Sequence, residues 1–124
     1  MSKNMLKRII VDNVPRAGQY SHAVISGNLV FLSGVTGQET QETSLTEQFD
    51  KSVSRIEKIL AESGSSIGDV IKVTAFLSDQ EYFQEFNALF NKTFISAPVR
   101  TTIVCGFVNN LVKVEIDIIA AKSE

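Results

Sequence analysis

Cysteine and histidine each occur once in this 124-residue chain, and proline only twice. A lone Cys105 excludes an intrachain disulfide, and with a lone His22 it leaves too few ligands for a protein-built zinc site. Basic residues are not in excess: 12 Lys and Arg against 14 Asp and Glu give a formal net charge of −2, so a nucleic-acid backbone would meet little cationic surface. No apolar run approaches transmembrane length. The N-terminus lacks the apolar stretch of a secretory signal, and no glycine cluster of phosphate-binding spacing precedes a helix. These absences point to a cytoplasmic enzyme or binding protein with no metal, no nucleic-acid partner and no membrane partner.

What is present suits a soluble globular fold: 44% hydrophobic and 21% charged residues. A chain of this size forms one domain, residues 1–124, and buries roughly two-thirds of its unfolded surface. A strand is expected from Met5 to Val11, then a loop through Pro15 and Gly18. Ala23-Val24-Ile25 and Leu29-Val30-Phe31-Leu32 flank Ser26-Gly27-Asn28, the pattern of a tight hairpin. Ser44 with Glu47 fits a capping box, and Leu45, Phe49, Val53, Ile56, Ile59 and Leu60 give the following helix one apolar stripe up to Gly64. The β-branched run Val70 to Leu77 predicts a central strand. A second helix runs from about Asp79 or Gln80 to Phe94, with Tyr82, Phe83, Phe86, Leu89, Phe90 and Phe94 on its apolar side and Asn87 among them. The order β-β-β-α-β-α-β-β is an α+β pattern in which two helices cover only one face of the sheet. The other face is left for water or another subunit.

The C-terminal segment from Pro98 to Ala120 reads as a hairpin turning at Asn109-Asn110. Val104 would then face Glu115, and Thr102 would face Asp117. Alternation puts Ile103, Cys105, Phe107, Val112, Val114, Ile116 and Ile118 on the core side. Arg100, Thr102, Glu115 and Asp117 gather on the opposite side. A guanidinium fork suits a carboxylate ligand, and two neighbouring carboxylates suit acid/base work. The same four residues also fit an ordinary ion pair on a wetted sheet face. Cys105 in this register is a core thiol and not a nucleophile. Asn87 is either a core amide bonded to backbone or a group facing a pocket.

Pro98-Val99-Arg100, followed by Val114-Glu115-Ile116-Asp117-Ile118-Ile119-Ala120, resembles the RidA (YjgF) family of reactive-intermediate imine deaminases. So do Gly18 to Val24, Phe31-Leu32-Ser33-Gly34, Gly68 to Leu77 and Phe86-Asn87, so the similarity runs over nearly the whole chain. The resemblance implies a chorismate-mutase-like α+β fold and a homotrimer with active sites between subunits. It also implies hydrolysis of 2-imino acids, the products of amino-acid dehydratases, to 2-keto acids and ammonia without a cofactor. It assigns the substrate carboxylate to Arg100 and the water to Glu115, with Tyr20, Ser33, Gly34, Asn87 and Thr102 as the other pocket positions. The chain departs from the archetype at Thr102, where a cysteine is usual, and at Gln19, Val35 and Asn109. A trimer that binds keto or amino acids without turnover is the alternative, and RNA cleavage is a third reading that the acidic balance disfavours.

Overall fold

The computed structural model describes residues 6–124. A seven-stranded sheet carries two helices: β1 (Lys7–Ile9), β2 (Ala23–Ser26), β3 (Leu29–Leu32), β4 (Val35–Thr36), α1 (Leu45–Glu62), β5 (Val70–Leu77), α2 (Phe83–Thr93), β6 (Val99–Val104) and β7 (Val114–Ala121). The strand order is β1-β2-β3-β7-β5-β6, with β4 also paired to β7. All pairings are antiparallel except that of β5 with β6.

Local sequence explains most elements. Gly27 takes φ +59° in the β2–β3 turn, a conformation that costs glycine little. Ser44 and Glu47 form the expected capping box at α1. Gly64, at φ +74°, ends that helix, with Ser65 N–H returning to the Leu60 carbonyl at 2.8 Å. Asp79 accepts from Glu81 N–H and starts a 3-10 turn over Gln80–Tyr82, so α2 proper begins at Phe83. The first strand is shorter than expected, and Met5 lies outside the described residues.

The core lies between the helices and one face of the sheet. Val73, Ala75 and Leu77 of β5 and Val114, Ile116 and Ile118 of β7 are buried with Phe49, Ile56, Ile59 and Leu60 of α1 and Phe86 and Phe90 of α2. Phe49 and Phe86 meet edge to face at 5.9 Å, a contact worth about 0.5–1.5 kcal/mol beyond burial. The opposite face carries no helix. Pairing across the strands puts Glu115, Asp117 and Ile119 there with Lys72, Thr74, Phe76, Thr101, Ile103 and Phe31.

The C-terminal hairpin is not formed. A turn does exist at Asn109, whose side chain accepts from Leu111 N–H, but β6 and β7 lie on either side of β5. The β5-α2-β6 connection pairs two strands in parallel through a crossover helix, and β7 takes the other edge of β5, so β5 separates β6 from β7. The register follows β5 and not β7. Val73 opposes Arg100, Ala75 opposes Thr102 and Phe76 opposes both Ile103 and Glu115. Arg100 and Thr102 therefore share the helix-covered face, and Glu115 and Asp117 occupy the other. Ile103, expected in the core, is 41% exposed on the uncovered face, and Cys105 is only partly buried.

Candidate functional site

The residues singled out in the sequence fall into two clusters. The first surrounds Arg100 at the β6 edge. Its Nη1 donates to Asn87 Oδ1 at 2.8 Å, and its guanidinium carbon lies 4.6 Å from the Phe90 ring centroid, 5.6 Å from Phe86 and 5.7 Å from Phe83. Three rings and one amide hold the cation in place, a cation–π arrangement worth about 0.5–2 kcal/mol per good contact. Among the described residues no carboxylate lies within ion-pairing distance of Arg100, so the surface ion pair does not form. The remaining N–H groups are available to an anion from outside. They line an open groove with Phe94, Ile95 and Pro98. Asn87 is not bonded to backbone; it is partly exposed, lines the same groove and aims the arginine. Thr102 follows on the same face, its Oγ1 buried with no hydrogen-bond partner among the described residues.

The second cluster lies around Glu115. Strands β3 and β4 are one line of chain interrupted at Ser33-Gly34, and both pieces pair with β7. The gap admits the Glu115 carboxylate: a Cβ on Gly34 would collide with Glu115 Oε2. Burial pushes the Glu115 carboxyl above the usual glutamate range, and the neighbouring Asp117 charge pushes it further. Burial raises Asp117 as well. Glu115 opens into a cavity of about 250 Å³ shared with Tyr20, His22, Ser33, Gly34, Gln38 and Arg55. Tyr20 is 42% exposed, and its hydroxyl accepts from Ala17 N–H at 3.0 Å. Ser33 is less free than its position suggests. Its Oγ donates to the Ser21 carbonyl at 2.7 Å, and its N–H donates to His22 O.

Each cluster alone is incomplete. The first offers a fixed cation and no base. The second offers a base of raised proton affinity, and Arg55, the cation beside it, is already engaged with Thr36 O at 2.7 Å and Glu39 Oε2 at 2.8 Å. Among the described residues no group of His, Cys, Asp and Glu could hold a metal.

Sequence reasoning missed the polar residues inside α1. Gln48 is fully buried; its side chain donates to the Leu111 carbonyl and accepts from Lys113 N–H, fixing the approach to β7 and so to Glu115. A helical-stripe reading sends such residues to solvent. The one available signal was that Gln48 and Arg55 flank the apolar positions Phe49 and Ile56.

Residues 11–122 match the protein family described as Endoribonuclease L-PSP. Protein HMF1 of Saccharomyces cerevisiae is 32% identical over 125 residues, covering 96% of this chain and 97% of that protein. The chloroplastic Reactive Intermediate Deaminase A of Arabidopsis thaliana is 33% identical over 130 residues, covering 97% of this chain and 69% of its own length. The crystal structure of a putative endoribonuclease from Thermotoga maritima superposes with a TM-score of 0.85 at 32% identity, covering 95% of this chain and 99% of that one.

Proposed function

This chain belongs to the Endoribonuclease L-PSP family, the family of YjgF and RidA, and from that premise we propose that it hydrolyses 2-imino acids to 2-keto acids and ammonia, at sites completed between copies of a homotrimer. The observation that carries the proposal is the division of the site. Arg100, unpaired with any carboxylate among the described residues, and Glu115, a base of raised proton affinity, sit on opposite faces of one sheet. A second copy laid on the uncovered, partly apolar face can bring an Arg100 to a Glu115. Phe31, Ile103 and Val99, exposed by 40%, 41% and 62%, are the kind of surface such an interface buries.

In this reading Arg100 grips the substrate carboxylate, with Asn87 and the phenylalanine rings keeping the fork aimed, and Thr102 Oγ1 offers a polar contact beside it. Glu115 takes a proton from a water that adds to the C=N carbon. It passes that proton to the nitrogen to give the carbinolamine. It then takes the carbinolamine hydroxyl proton and delivers it to the nitrogen as the C–N bond breaks, leaving the keto acid and ammonia. A carboxyl raised above its usual range is better matched to both duties near neutral pH. Tyr20 and Gly34 shape the cavity in which this occurs. One relative's name, Reactive Intermediate Deaminase A, agrees with this chemistry. Nucleic-acid cleavage, named in the family's description, has less support in a chain of net charge −2 with a single, buried histidine. A threonine dehydratase supplying imine, with keto-acid release followed in time, tests the proposal: the wild-type chain accelerates release and Arg100→Ala does not. Equal acceleration by Arg100→Ala would sink it.

A further inference from the structure

His22 is the chain's single histidine and is 4% exposed. It stands directly after the loop that carries Tyr20, and the loop is bonded around it. Val11 N–H donates to Nδ1 at 2.9 Å. Nδ1 is therefore the unprotonated nitrogen and the proton sits on Nε2, which faces the Pro15 carbonyl at 3.3 Å. The main chain of His22 donates to Ile9 O at 2.9 Å and accepts from Ser33 N–H at 3.0 Å. One residue thus ties both ends of a loop, residues 11–15, to the strand break at Ser33-Gly34. Beyond Pro15 the loop closes on Tyr20: Arg16 donates to the Tyr20 carbonyl, and Ala17 N–H donates to the Tyr20 hydroxyl. Val11 and Val14 anchor the start of the loop in the core, while Pro15 to Tyr20 are all exposed and carry no such anchor.

We infer that His22 is a positioning residue of the site: in its neutral, Nε2-protonated tautomer it holds the 11–20 loop so that Tyr20 closes the cavity containing Glu115. It touches no reacting atom and acts through Tyr20. This rests on the deaminase reading for its kinetic consequence but not for its geometry. A glutamine side chain can replace it, because one amide supplies an acceptor for Val11 N–H and a donor for Pro15 O. Leucine fills the space and supplies neither.

The test combines kinetics with spectroscopy. His22→Leu is expected to lower kcat/KM for the dehydratase-generated imine by roughly 10- to 100-fold, the cost of a misplaced group, while His22→Gln restores most of it. In a Tyr20→Ala background the leucine substitution should add no more than about twofold, because coupled residues are not additive. Equal losses in both backgrounds, or a glutamine variant no better than leucine, overturn the inference. Should His22→Leu not fold, His22→Gln against the shorter His22→Asn makes the same comparison, and equal activities overturn it. The single histidine also gives an unambiguous nitrogen-15 NMR spectrum. A bare Nδ1 with a protonated Nε2, and a slowly exchanging Val11 amide, support the assignment; the opposite tautomer or an imidazolium overturns it. A wild-type chain that hydrolyses no imine removes the deaminase reading, and the two NMR readouts then decide the positioning role by themselves.

Discussion

Strands β6 and β7 flank the same central strand and each delivers one charged residue to a pocket, yet they do so in opposite environments. Arg100 lies under α2, stacked on three phenylalanines and bonded to Asn87, so its orientation is set within one chain. Glu115 lies on the opposite face, in a gap made by a strand break, with no hydrogen bond from the described residues to lower its proton affinity. The covered side holds a cation with no carboxylate beside it among the described residues. The uncovered side holds a carboxyl of raised proton affinity with apolar surface around it. In the proposed reaction the first is the anion receptor and the second the base, so the proposal requires both faces.

The largest effect should come from the base. Glu115→Gln is expected to lower kcat for imine hydrolysis by ~10²–10⁴-fold, the usual contribution of a positioned acid/base group, while 2-keto-acid binding measured by calorimetry survives. Loss of binding along with turnover would mean that Glu115 belongs to the receptor and that the division is wrong. Gly34→Ala should come next, at about 10²-fold in kcat, because its methyl group takes the place of the Glu115 carboxylate. Unchanged kcat would show that the carboxylate has no need of the gap.

On the other face, Asn87→Ala frees the arginine from its aiming bond. A hydrogen bond to a charged group contributes about 1.5–3 kcal/mol, so keto-acid affinity should weaken by roughly 10- to 100-fold. The pH dependence of turnover, which reports Glu115, should not move. A shifted pH profile would couple the two clusters within one chain.

The smallest effect concerns stability. Glu115 has its proton affinity raised in the folded chain, so the folded state holds that proton more tightly than the unfolded one. Stability is then lost, not gained, as pH rises from the ordinary glutamate range through the raised value. Glu115→Gln should accordingly be slightly more stable than wild type at about pH 8, with the advantage vanishing at about pH 4, in urea denaturation at fixed protein concentration. A variant less stable at the higher pH would mean that the charged carboxylate is favourably held.

Much of this was legible in the sequence, and the illegible part has a physical cause. The capping box at Ser44, the stop at Gly64 and the strand Val70–Leu77 are local signals, and each formed as read, while the aromatic stripe of α2 formed in part, with Phe86, Phe90 and Phe94 buried and Phe83 exposed. Strand order is not local. Along β6 the rows Arg100-Thr102-Val104 and Val99-Thr101-Ile103 both mix polar and apolar residues, so alternation does not reveal which row is buried. The hairpin register therefore satisfied the pattern of β7 while misplacing β6. The strand–helix–strand order from Val70 to Val104 held the better clue, since such a crossover favours a parallel neighbour. The residues of both clusters were named in the sequence because the resemblance supplied them residue by residue. Their separation onto two faces came only from the pairing, as did the buried roles of Gln48 and His22.

In the proposed trimer the two halves of each site come from different copies, and complementation measures that directly. Arg100→Ala and Glu115→Gln chains, each inactive in the dehydratase-coupled assay, are co-expressed in equal amounts and purified as mixed assemblies. In a closed ring of three with each site shared by neighbours, one site in each mixed ring, about a third of the sites, should pair an intact Arg100 with an intact Glu115, with activity to match. Mixed assemblies no more active than either parent would place both residues' work within one chain and contradict the account.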